Sequence, residues 1–163
     1  MTTSGTATPE TCKECAPRKE LRAYDADVVD YLNAAQSAFH CVAEVTARLV
    51  KNGFEVLDER KAWTVQPNGK YIVTRNGSLL CAFAVGGKFD AETSGAICVG
   101  AHTDSPCPKL KPVSRLEKSG NTMLGVVGYG GGLWHTWFDR DLTLVGRAVV
   151  RRQGRVSQEL VRL

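Results

Sequence analysis

Between Asp27 and Lys51 apolar residues return every three or four positions, at Val28, Leu32, Ala35, Phe39, Val42 and Leu49. That spacing keeps one face of a helix apolar and predicts a single long amphipathic helix across the segment. Asp25, Asp27 and Asp30 suit its start, where the helix dipole favours negative charge, and Asn52-Gly53 supplies a left-handed stop. His40 reads as a packed or surface imidazole of this helix rather than a ligand. The period then changes. Trp63–Val65, Tyr71–Thr74 and Leu79–Val85 read as short strands, separated by the turn signals Pro67-Asn68-Gly69 and Asn76-Gly77. GGKFDAETSG is a loop. Ala96–Ala101 follows with few polar residues on either face, the pattern of a central strand covered on both sides. Thr143–Arg151 alternates enough to form another strand, and Gln153-Gly154-Arg155 reads as the turn to the next.

Composition narrows the class. With 163 residues, 43% of them apolar, the chain can furnish one ordinary domain core. Lys and Arg number 21 against 17 Asp and Glu, and this modest excess is spread out except for Arg147, Arg151, Arg152 and Arg155. Those arginines read as a solvated edge strand, so neither nucleic acid nor an anionic surface is an expected partner. No apolar run approaches the roughly 20 residues that span a bilayer. The opening MTTSGTATPETCKECAPRKE lacks the apolar core of a secretory signal, so a soluble, intracellular protein is expected. Cys41, Cys81, Cys98 and Cys107 stand singly among small or apolar neighbours and read as buried free thiols. Cys12 and Cys15 form a CxxC with no second ligand pair, and read as part of a disordered leader.

The candidate chemistry lies where the Ala96–Ala101 segment ends, at His102 and Asp104. In an open sheet covered by helices, ligands bind beyond the carboxyl ends of the strands. Residues two apart on an extended chain project to the same side, so Asp104 can accept the second ring N–H of His102. That pairing fixes the tautomer of a metal-binding histidine and raises the basicity of its ligating nitrogen. Pro106 and Pro108 are expected to stop the strand and leave the pair at a rigid rim. On spacing alone, however, His-x-Asp better describes a histidine whose hydrogen bond merely closes a loop. A serine-hydrolase triad from His102, Asp104 and Ser105 is poorer still, because neighbours on one extended segment diverge.

GAHTDSPCPKLKPVSR followed by GYGGGLWHTWFDRDLTLVGRAVVR closely resembles the aspartyl aminopeptidases, and DERKAW, GKYIVTRNGS and AFAVGG resemble the same family in the same order. The resemblance runs from about Asp27 to the last residue. It implies an α/β fold: the N-terminal part of a zinc-aminopeptidase-like α/β domain over 27–108, then the start of an inserted, β-rich dimerisation domain over 109–163; residues 1–26, read as a disordered leader, fall outside it. It implies two zinc ions, with His102 a ligand of one and Asp104 the catalytic-site carboxylate that clamps it. The implied reaction removes Asp or Glu from the amino terminus of peptides, in a homo-oligomer. The bridging aspartate, the general-base glutamate and the other ligands lie further along in longer members, so the 163-residue polypeptide alone is expected to be inactive. The alternative is a non-catalytic truncated paralogue acting as an assembly or regulatory module. On either reading, strands left without partners are expected to make the isolated chain aggregate or require a partner.

The run Gly128-Tyr129-Gly130-Gly131-Gly132 is followed by neither Gly-Lys-Ser/Thr nor GxGxxG, so it reads as a tight turn or close backbone approach rather than a phosphate cradle. Trp134, Trp137 and Phe138 read as core or subunit-contact aromatics, Asp139-Arg140-Asp141 as a charge network, and His135 as exposed.

Overall fold

The computed structural model describes residues 18–163, so Cys12, Cys15 and most of the expected leader lie outside the described residues. The chain forms two units, Met1–Asn33 and Ala34–Leu163. In the first, helix α1 (Arg18–Ala34) begins well before Asp27, inside the segment expected to be disordered. Arg, Lys, Glu, Leu and Ala dominate its opening turns, and these are strong helix formers that need no apolar stripe. Tyr24, Val28, Val29 and Leu32 are exposed along it.

The expected single helix is therefore two, since α2 (Ala38–Lys51) starts afresh after a break at residues 35–37. Ser37 explains the break. It sits in extended backbone at φ −137°, and its hydroxyl accepts the His40 N–H at 3.3 Å, satisfying one of the open donors of a new helix start. At the other end the expected stop is present. Gly53, at φ +84°, donates to Val50 C=O at 3.0 Å and Phe54 to Leu49 C=O at 3.1 Å, the paired closure of a left-handed helix terminus.

Three strands make the first sheet, in the order β1 (Glu55–Leu57), β2 (Lys70–Arg75), β3 (Leu79–Ala84), with β1 parallel to β2 and β2 antiparallel to β3. The central strand β2 carries three successive buried residues, Tyr71, Ile72 and Val73, and α2 packs on β2 and β3 through buried Cys41 and Val42. These five residues are the buried apolar core among the described residues, with Ile72 fully enclosed. Trp63–Val65 is not a strand. Its indole is committed instead to the Asp58 carbonyl at 2.8 Å and to the Phe83 ring at 6.4 Å.

Two hairpins follow, β4 (Cys107–Lys118) with β5 (Asn121–Tyr129), and β6 (Val145–Arg152) with β7 (Arg155–Arg162). The expectation that Pro106 and Pro108 end the strand fails, because β4 begins between them and takes in both Pro108 and Pro112. A strand with one neighbour tolerates a missing N–H on its open side, and Pro112 falls inside a register shift between Leu110 and Arg115. Gly125 faces that shift, where an added Cβ would lie 3.3 Å from Leu116 Cδ1.

Ala96–Ala101 also departs from expectation. No strand among the described residues pairs with it, and Ile97 and Val99 are 100% and 95% exposed. Its composition suits a central strand, but pairing depends on a neighbour that its own residues do not encode. Only Cys41 of the four expected buried thiols is buried. Cys81 and Cys98 are exposed and Cys107 is half-buried.

Candidate metal centre

The Asp90 carboxylate opens the approach to the site by accepting the backbone N–H groups of Glu92 and Thr93 at 2.8 and 3.2 Å, which turns the loop after β3. The chain then runs without regular secondary structure to His102. There Nδ1 lies 3.2 Å from Asp104 Oδ1, with the chain bending at Thr103 between them. The imidazole is 89% exposed and the Asp104 side chain 40%. With Nδ1–H donated to the carboxylate, Nε2 is the nitrogen left with a lone pair for an electrophile.

Asp104 is held below the ordinary carboxylate range. The hydrogen bond with His102 is the main cause, partial desolvation opposes it, and the Asp104 backbone N–H, the Tyr129 hydroxyl and the His102 charge add to the lowering. Tyr129 stands at the end of β5 opposite Cys107, and its ring carries the Lys109 ammonium at 3.6 Å from the centroid. The hairpin therefore places a hydroxyl beside the carboxylate.

Thr103, between the two, turns the other way. Its hydroxyl donates to the Ser78 carbonyl at 2.8 Å, across 25 positions, tying the segment to the turn between β2 and β3. The turn residues Asn76 and Gly77 have φ of +54° and +65°. Asn76 also takes two hydrogen bonds from Arg147 Nη1, at 2.8 Å to its carbonyl and 3.2 Å to its side chain, while the Arg147 guanidinium covers the Phe39 ring at 4.2 Å. Sequence reasoning missed Thr103 and Tyr129. No local pattern marked either, and the partner of Thr103 lies 25 positions away.

The glycine run serves close approach. Cβ atoms added at Gly128 and Gly132 would lie 3.1 and 3.2 Å from the Trp134 ring, and Gly130, at φ +80°, abuts Pro106. Trp134 and Trp137 are half-buried, Phe138 is exposed, and His135 is exposed as expected. His40 shares a 2.8 Å hydrogen bond with Ser37. Among the described residues no three His, Cys, Asp or Glu side chains gather where they could hold a metal ion. A catalytic zinc takes about three protein ligands, so His102 fits as one oriented ligand of such an ion and not as the whole site. An open groove of about 370 Å³ lies elsewhere, lined by Phe39, Val42, Thr46, Thr74, Arg147 and Leu160.

The profile of the family described as "Aminopeptidase I zinc metalloprotease (M18)" matches residues 31–163. The chain belongs to the M18 aminopeptidase family. A probable aspartyl aminopeptidase of Ricinus communis is 50% identical over 143 residues, covering 85% of this chain and 29% of the relative. Aspartyl aminopeptidase 4 of Saccharomyces cerevisiae is 41% identical over 160 residues, covering 97% of this chain and 31% of the relative. Among solved structures, an Ape4 chain in complex with Nbr1 superposes with a TM-score of 0.79 at 38% identity, over 88% of this chain and 28% of that one. The dodecamer of S. cerevisiae mApe1 gives a TM-score of 0.77 at 31% identity, over 88% and 34%. The mixed helix-and-sheet fold is thus that of M18 structures, and the chain spans about a third of the length of the relatives it matches.

Proposed function

We propose that this chain contributes part of the catalytic centre of a zinc aminopeptidase that removes Asp or Glu from the amino termini of peptides. The observation that carries the reading is the 3.2 Å pairing of His102 Nδ1 with Asp104 Oδ1 in an exposed position, inside the family-matched segment. In this reading His102 binds through Nε2, and Asp104 fixes the tautomer and strengthens the nitrogen as a donor. When bound, a pair of zinc ions supplies Lewis acidity for the scissile carbonyl and lowers the pKa of bound water towards neutrality. The protein side of the work done by this segment is orientation. The reading extends to a cytoplasmic homo-oligomer with no nucleic-acid or membrane partner. No helix among the described residues is long and apolar enough to cross a membrane.

The test is zinc content and release of aspartate from a peptide with N-terminal Asp, measured on the complete gene product. His102→Ala is expected to lose both, and retention of both would remove the basis of the reading. The alternative reading is a non-catalytic assembly or regulatory module. A gene product that assembles but neither holds zinc nor releases aspartate would establish it.

A further inference from the structure

Thr103 is the residue whose chemistry the proposed reaction does not use and whose geometry it most needs. Residues 96–102 are exposed throughout and pair with no strand among the described residues. A metal ligand must nevertheless be held to within about half an ångström of its productive position. The hydrogen bond from Thr103 Oγ1 to Ser78 C=O, at 2.8 Å and half-buried, joins this segment to the core sheet between the two site residues. Its acceptor belongs to a turn that is itself fixed. Ser78 N–H closes onto Arg75 C=O at 3.2 Å, and Arg147 holds Asn76 from the β6–β7 hairpin. Threonine suits the task because a β-branched side chain is stiff about χ1, so fixing its hydroxyl also fixes its backbone.

We infer that Thr103 is a positioning residue for the metal site: by hooking the Ser78 carbonyl it sets the location of the His102–Asp104 pair relative to the three-stranded sheet. This inference rests on the reading of His102 as a zinc ligand. The partner of Thr103 is a main-chain oxygen, so side-chain substitution at residue 103 removes the donor and leaves the acceptor in place.

The experiment compares Thr103→Val, which keeps the shape and removes the hydroxyl, with Thr103→Ser, which keeps the hydroxyl. Both are made in the complete gene product and read by zinc competition with a chromophoric chelator, by kcat and KM separately, and by Tm of the metal-free protein. Loss of an outer partner of a metal ligand typically weakens binding about 10–100-fold. The expected result is a loss of that size for Thr103→Val with a lower kcat, near-native zinc binding for Thr103→Ser, and closely similar metal-free Tm values. Native zinc binding by Thr103→Val overturns the inference, as do equal losses in both variants or a change in Tm without a change in zinc affinity. If Thr103→Val does not fold, Thr103→Ala takes its place against Thr103→Ser under the same criteria. His102→Ala run in parallel separates the two ideas, since unchanged zinc binding there refutes the ligand itself, whatever Thr103 does.

Discussion

Arg147 donates to the Asn76 carbonyl at 2.8 Å from a position 71 residues further along the chain, and its guanidinium lies over Phe39 of α2. One half-buried side chain thus links the β6–β7 hairpin, the β2–β3 turn and the helix. Arg147→Ala should destabilise the fold by about 1–3 kcal/mol, from a charge-assisted hydrogen bond and a cation–π contact. Arg147→Lys keeps the charge but not the planar fork, and should recover only part of the loss in a denaturant melt.

Ser37 starts α2, and its replacement by alanine removes the hydroxyl that accepts the His40 N–H. Ser37→Ala is expected to lower stability by about 1 kcal/mol and Ser37→Gly by only a few tenths, as N-cap substitutions do. Thermal melts followed by far-ultraviolet circular dichroism separate the two.

His40 has its pKa held below the usual 6.5 by partial burial first and by the Arg162 charge second. The unfolded chain therefore binds the proton more readily than the folded one, so stability from this group is complete above 6.5 and declines as pH falls towards the folded value. Below that value both forms are protonated and the decline ends. An NMR titration of the ring should place its midpoint under 6.5, and His40→Gln should remove this component from the pH profile of unfolding.

Gly77 occupies the left-handed region at φ +65°, with nothing nearer to an added Cβ than Phe39 Cδ1 at 3.9 Å. Space is available, so Gly77→Ala acts through backbone conformation alone, and a loss of about 1–2 kcal/mol in a denaturant melt is expected.

Asp104→Asn keeps the shape beside His102 but substitutes a neutral acceptor. Zinc affinity of the complete gene product should fall about 10–100-fold in chelator competition, and the variant should retain the native far-ultraviolet spectrum, since Asp104 is not part of the buried core.

Local signals were legible in the sequence. The Asn52-Gly53 stop, the Asn76-Gly77 turn and the Gln153-Gly154 turn all appear where left-handed residues were expected, because a turn needs only its own few residues. Ser37 was hidden by the apolar stripe on both sides of it, since a cap inside a continuous helical period is outweighed by the period. Ser119-Gly120 joins β4 to β5 with the same left-handed pair, yet Pro106 and Pro108 were read as stopping a strand rather than flanking the start of one. At the site, His102 and Asp104 could be paired from alternation two residues apart. The bond from Thr103 to Ser78 spans 25 positions, a separation over which no local pattern carries information.

An Asn-Gly tip at the end of a hairpin is ordinarily the least demanding place to lengthen a chain. At residues 76 and 77 that freedom is withdrawn, because Arg147 and Thr103 each arrive from distant sequence to grasp carbonyls on either side of the tip. The turns at Ser119-Gly120 and Gln153-Gly154 carry no such long-range bond among the described residues. Tags or inserted loops therefore belong in those two, while even a single added residue after Asn76 would dislodge the scaffold on which the imidazole stands.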